Sequence, residues 1–141
     1  MSGPDDGMVE VLPLAVLTFV VGALVLSHAW AVVHARTEAA AGARAGARAF
    51  VEAGPADALT SAIDAARASI DPARRDAARW DIAVGGAPGR CRPVTVTVAT
   101  TVPLLRLPWI GDSGAVTVRA AHREIVDPFR RGLTGTAGCG A

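Results

Sequence analysis

VLPLAVLTFVVGALVLSHAWAVV, residues 11–33, runs for 23 residues without Asp, Glu, Lys or Arg, and thirteen of them are Val, Leu or Phe. On an insertion scale of about −0.3 to −0.6 kcal/mol per such residue, the thirteen favour a bilayer by roughly 4 to 8 kcal/mol at most. At about 1.5 Å per residue a helix of this length reaches about 35 Å, enough to cross a hydrocarbon core with some tilt. A buried helix of a soluble domain would show polar residues at a 3.6 period, and none recur here. Trp30 near the far end suits an interfacial belt, and Arg36 follows just outside. The run therefore reads as one membrane-spanning helix.

The whole chain is consistent with that reading. Its 141 residues fit one domain of modest size and leave no room for two catalytic lobes. Thirteen acids against fourteen bases give a net charge of +1, and all fourteen bases are Arg. Charged residues make up 19%, below the roughly 25% of soluble domains. The Arg residues are scattered without aromatic interleaving, so nothing points to nucleic acid.

Outward from the run, residues 1–10 form a short leading segment carrying Asp5, Asp6 and Glu10. Residues 34–54 are rich in Ala, with Arg36, Arg44 and Arg48, and predict a continuation of the helix that ends at Gly54-Pro55. Gly42 and Gly46, four apart, give this continuation a small-residue face on which another helix can lie closely. A head is expected over 55–130. Its helix, about Ala56 to Ile70, carries Leu59, Ile63, Ala66 and Ile70 at helical spacing, and Asp71-Pro72 starts one further turn.

The period then changes to two. Trp80, Ile82 and Val84 alternate with Asp81 and Ala83; Val94, Val96 and Val98 alternate with Thr95 and Thr97; Val116, Val118 and Ala120 alternate with Thr117 and Arg119. Three strands, each with one apolar face, predict a small antiparallel sheet packed on helix, so the fold class is α+β. An apolar stretch, 104–114, joins the last two strands, and Leu105 and Trp109 within it are residues a lone monomer would not leave exposed. Residues 131–141 are Gly-rich and read as a flexible tail.

This arrangement resembles the TadE family, pilin-like components of the tight-adherence (Flp, type IVb) pilus and secretion apparatus. The resemblance is carried by Glu10 before the apolar span with Pro13 close behind, the Ala-Gly-Arg stretch 42–49, VTVTV at 94–98 followed by VPLLRLP at 102–108, and VTVRAA at 116–121. It implies a single-pass membrane protein with its carboxyl domain outside the cytoplasm, acting in pilus assembly rather than catalysis. Its partners would be the lipid bilayer, other pilin-like subunits and the membrane platform proteins of the apparatus, with no cofactor, nucleic acid or small-molecule substrate. It also implies that Glu10 pairs with the amino-terminal ammonium of a neighbouring subunit. Otherwise Glu10 sits in the headgroups as a solvated charge favoured by the helix macrodipole.

Two other readings remain. No Lys or Arg precedes the span while three Arg follow within 15 residues, and the positive-inside rule alone makes this a membrane-tethered cytoplasmic adaptor. Ala29-Trp30-Ala31 has the small-x-small form of a signal-peptidase site, and release after Ala31 would give a secreted binding domain, although the segment before the run lacks a positive region.

Few residues offer chemistry. Cys91 and Cys139 would be bridged outside the cytoplasm and free thiols inside it. His28, His34 and His122 have no metal-ligand spacing among them. Gly111-Asp112-Ser113-Gly114 has the form of a serine-protease nucleophile loop, but the only upstream His residues, His28 and His34, are membrane-adjacent, and a polar turn accounts for it.

Overall fold

The computed structural model describes residues 6–103, 106–107, 111–112, 114–135 and 139, with side chains from Val11 onward apart from those of 77, 106–107 and 111–112. The apolar run and the Ala-rich stretch form one unbroken helix, α1 (Asp6–Glu52), of 47 residues and about 70 Å. Pro13 lies inside it, where its missing N–H leaves the Val9 carbonyl without the usual helical partner. Helix α2 (Ala58–Ala68) follows the breaker at Gly54-Pro55. Asp71 then caps α3 (Pro72–Ala77), accepting from the Ala73 N–H at 2.8 Å.

The sheet has the order β1-β2-β5, formed by β1 (Trp80–Gly85), β2 (Pro93–Pro103) and β5 (Ala115–Ile125), all antiparallel. Between β2 and β5, β3 (Arg106–Leu107) and β4 (Gly111–Asp112) pair with each other. The chain is thus α+β, with a long apolar helix at its amino end and a three-stranded antiparallel sheet.

Cross-strand register decides which side chains share the inner face. Val96 sits between Val84 and His122, Val98 between Ile82 and Ala120, and Thr100 between Trp80 and Val118. Val94, Val96 and Val98 are fully buried, as the alternation predicts. Among the described residues Thr100 is the one buried polar residue of the core, and its hydroxyl donates to the Arg79 carbonyl at 2.9 Å. The outer face, with Thr95, Thr97, Thr101 and Arg119, meets solvent.

The core brings Ala39, Ala43, Ala47 and Phe50 of α1 and Ala58, Ala62 and Ala66 of α2 together with the β2 valines. Gly42 faces Ala66 and Ser69, and Gly46 faces Ala62 and Ala66, so the order reverses and the two helices are antiparallel. The helices approach closely because neither presents more than a methyl group at the contact. Of the helix stripe expected from the sequence, Ala66 and Ile70 are buried, and the closeness turns Leu59 and Ile63 away. Ala58, Ala62 and Ala66 turn inward, Leu59 is left 53% exposed, and Ile63 is only half-buried.

Residues 35–50 continue the anchor helix and also serve as the head's central helix, so core residues lie on both sides of position 55. One further expectation is corrected. The small-residue face of Gly42 and Gly46 is filled by this chain's own α2 and β2, and no room remains there for the helix of another subunit.

A Cβ on Gly46 would come within 2.9 Å of the Ala62 carbonyl oxygen and 3.1 Å of Val96 Cγ1, whereas one on Gly54 meets nothing within 4 Å. Gly46→Leu therefore overpacks the core and should cost the head at least about 1–3 kcal/mol. Gly54→Ala should stay within about 0.5 kcal/mol. Thermal unfolding of the full chain in detergent, followed by circular dichroism, compares the two; equal midpoints would refute this packing.

Candidate membrane anchor and assembly surface

The bare half of α1 is apolar on every side. Phe19 is 77% exposed and Leu26 71%, and none of the most apolar 18-residue stretch is buried against the rest of the protein. One amino-terminal helix is therefore long and apolar enough to span a membrane. Its hydroxyls are satisfied within the helix: Thr18 Oγ1 donates to the Leu14 carbonyl at 2.9 Å and Ser27 Oγ to that of Ala23 at 2.8 Å. Bonding back to the preceding turn lowers what a hydroxyl costs in hydrocarbon. At the head end of the run, the Trp30 and His34 rings meet edge to face, with centroids 5.2 Å apart.

The head begins where the run ends. Ala31 and Ala35 of α1 line a shallow groove with Trp80, Val102 and Pro103, beside Arg74. Its volume of 180 Å³ is below the roughly 300–1,000 Å³ of small-molecule sites. Glu38, one turn further along α1, forms an ion pair with Arg74 (Oε1 to Nε 3.5 Å), tying α3 to the helix.

Away from the head, α1 presents Arg36, Thr37, Ala40, Ala41 and Arg44 to solvent. Arg48 continues this face and donates to Glu52 Oε1 at 2.8 Å. That hydrogen bond, and then the Glu52 charge, raise the Arg48 pKa above its ordinary value. Both side chains are well exposed, so solvent screening leaves the pair little influence on stability.

At the far end of the sheet the chain closes on itself. Cys91 and Cys139 form a disulfide with Cα atoms 5.1 Å apart. Cys91 has φ +60, in the left-handed region, and its N–H donates to the Val126 carbonyl at 3.0 Å. Arg90 reaches across to the carbonyl of Arg130 at 3.1 Å, and its own N–H donates to the Thr134 carbonyl at 3.0 Å. Arg130 in turn donates to the Glu52 carbonyl at the end of α1. Backbone and guanidinium bonds, together with the disulfide, thus hold residues 131–135 of the Gly-rich tail to the 89–92 loop.

The residues singled out from sequence do not converge on one site. Glu10 lies in the first turns of α1, but its side chain is outside the described residues, as are Leu105, Trp109 and Ser113. His122 faces Glu124 at 3.6 Å on the inner sheet face, far along the chain from His28 and His34. Among the described residues, no three His, Cys, Asp or Glu side chains are placed to hold a metal ion. Sequence reasoning missed the Arg90–Arg130 clasp. A lone Arg before a Cys carries no periodic signal, and only the folded tail supplies its acceptors.

No family model, curated protein or solved structure matches the chain.

Breaking the disulfide isolates what the covalent tether contributes. Its sequence separation is 48 residues. Loop-closure entropy then gives about 4 kcal/mol, and native tethers of this kind give about 2–4 kcal/mol. Cys91→Ser with Cys139→Ser should lower the unfolding free energy by that amount in denaturant titration without altering the helical signal. A loss well under 1 kcal/mol would mean that the Arg90 clasp alone holds the tail.

Proposed function

We propose that this chain is a membrane-anchored, pilin-like structural subunit of the TadE type, an assembly component of a tight-adherence (Flp) pilus or a related secretion apparatus. The observation that carries the reading is the continuity of α1. One helix is bare and apolar for its first half and is the central core helix of a small α+β head for its second, with no linker between. A subunit built this way transmits position and force from membrane to head, because a helix-core contact cannot pivot as a flexible tether does. The exposed face of α1 with Arg36, Ala40, Ala41 and Arg44 is a surface for neighbouring subunits.

The disulfide supports a carboxyl domain outside the cytoplasm, since such bonds persist in oxidising compartments. The arginines after the span favour the opposite topology and the cytoplasmic adaptor. We give more weight to the disulfide, because folded domains translocate despite flanking charge. Release after Ala31 is disfavoured: Ala29–Ala31 lies within an unbroken helix, and Ala31 is half-covered by the head.

Protease added to intact spheroplasts should remove a tag fused to the carboxyl terminus while the anchor stays in the membrane fraction; protection of the tag would establish the adaptor instead. Glu10→Ala tests the assembly role. If Glu10 pairs with a neighbouring subunit, the variant inserts normally but co-purifies several-fold less with the assembled apparatus. Unchanged co-purification would reduce Glu10 to a solvated helix-start charge.

A further inference from the structure

We infer that the end of the head nearest the span is itself a lipid-contact surface, seated in the headgroup layer rather than held above it. The inference rests on the anchor reading and goes beyond it by assigning a second membrane-binding element. A hydrocarbon core of about 30 Å takes about 20 residues of helix, and the surrounding headgroup layers bring the bilayer to about 40–45 Å. Counted from Val11, the hydrocarbon segment ends at Trp30. Ala31 and Ala35, the next residues on the head side of α1, already line one groove with Trp80, Val102 and Pro103. They lie about 1.5 to 8 Å beyond the hydrocarbon edge at 1.5 Å per residue, within a headgroup layer of about 5–8 Å. The head therefore has no clearance from the lipid.

The direction of the sheet fixes which residues arrive there. β2 runs antiparallel to α1: Val96 packs beside Gly46, Val98 beside Gly42, and Val102 and Pro103 beside Ala31 and Ala35. The lipid-facing end is then the start of β1 and the end of β2, and its chemistry is interfacial. Trp80 is half-buried, with its indole N–H donating to the Arg74 carbonyl at 3.3 Å. Trp30 is 64% exposed at the same level, and Arg36, about 9 Å further along α1, is exposed as well. An exposed Trp30, a Trp80 ring whose N–H is satisfied, and an Arg36 side chain long enough to extend to lipid phosphate are residue types that belts at the membrane surface use. The opposite end, where Ile125 approaches Val51 and Glu52, carries acids and the Arg130 clasp instead. A lipid bilayer is the occupant this end fits, because the span delivers the head to it.

Quenching by lipids brominated on the upper acyl chain tests the proposal on the full chain in phosphatidylcholine vesicles. The protein has three tryptophans. A version with Trp30→Phe and Trp109→Phe keeps only Trp80 and leaves the groove intact; a second, with Trp80→Phe and Trp109→Phe, keeps only Trp30. A third removes all three and carries Phe129→Trp at the opposite end of the head. The expected result is loss of emission for Trp80 comparable with that for Trp30, and none for position 129. Quenching of Trp30 without Trp80 would overturn the proposal and leave the anchor standing. Equal quenching at position 129 would overturn it as well, because the head would then lie along the surface. No quenching at any position would remove the anchor and this proposal together.

Discussion

Gly46 lies so close to the Ala62 carbonyl that no side chain fits between them, and the rest of the head is arranged around that contact. Two helices at this separation exclude every residue larger than Ala from the seam, which is why Ala39, Ala43 and Ala47 oppose Ala58, Ala62 and Ala66. Small side chains bury little area individually, but they lose almost no rotamer entropy and allow dense packing. The β2 valines then close the third side. The seam fixes the direction of α2 and, through the short loop after Glu52, the whole path of the chain that follows.

The same helix also has to satisfy two surroundings. Over 11–33 its outer surface is Val, Leu and Phe on all sides, with its hydroxyls bonded to its own carbonyls. From Ala35 onward one face is stripped to Ala and Gly for the core, and the other carries Arg and Thr for water. The change takes place within about one turn and without a break in the backbone. Under the proposed function this continuity matters more than any single side chain, because it makes the orientation of the head follow that of the anchor.

The end of the head farthest from the span is organised by polar bonds rather than by packing. Arg90, Arg130 and the Cys91–Cys139 bond close the chain over the end of α1, and His122 with Glu124 occupies the part of the inner sheet face where the β2 valines end. Glu124, a carboxylate pointing inward at the edge strand β5, also discourages another chain from pairing with it. The two ends of the head thus differ in chemistry as well as in position.

Much of this was legible in the residues themselves. The apolar run, the breaker at Gly54-Pro55, the Asp71-Pro72 start of α3 and the period-two alternation of the three strands are local signals, set by side-chain solvation and backbone preference. They determined an α+β chain with one helix suited to lipid. Tertiary structure alone decided three things: that residues 35–50 belong to the core, that Ala rather than Leu59 and Ile63 faces it, and that the tail folds back onto Arg90. Each depends on how near two segments distant in sequence come to each other. An alanine reads as neutral until another helix lies against it, and a guanidinium has no assigned partner until the fold supplies a carbonyl.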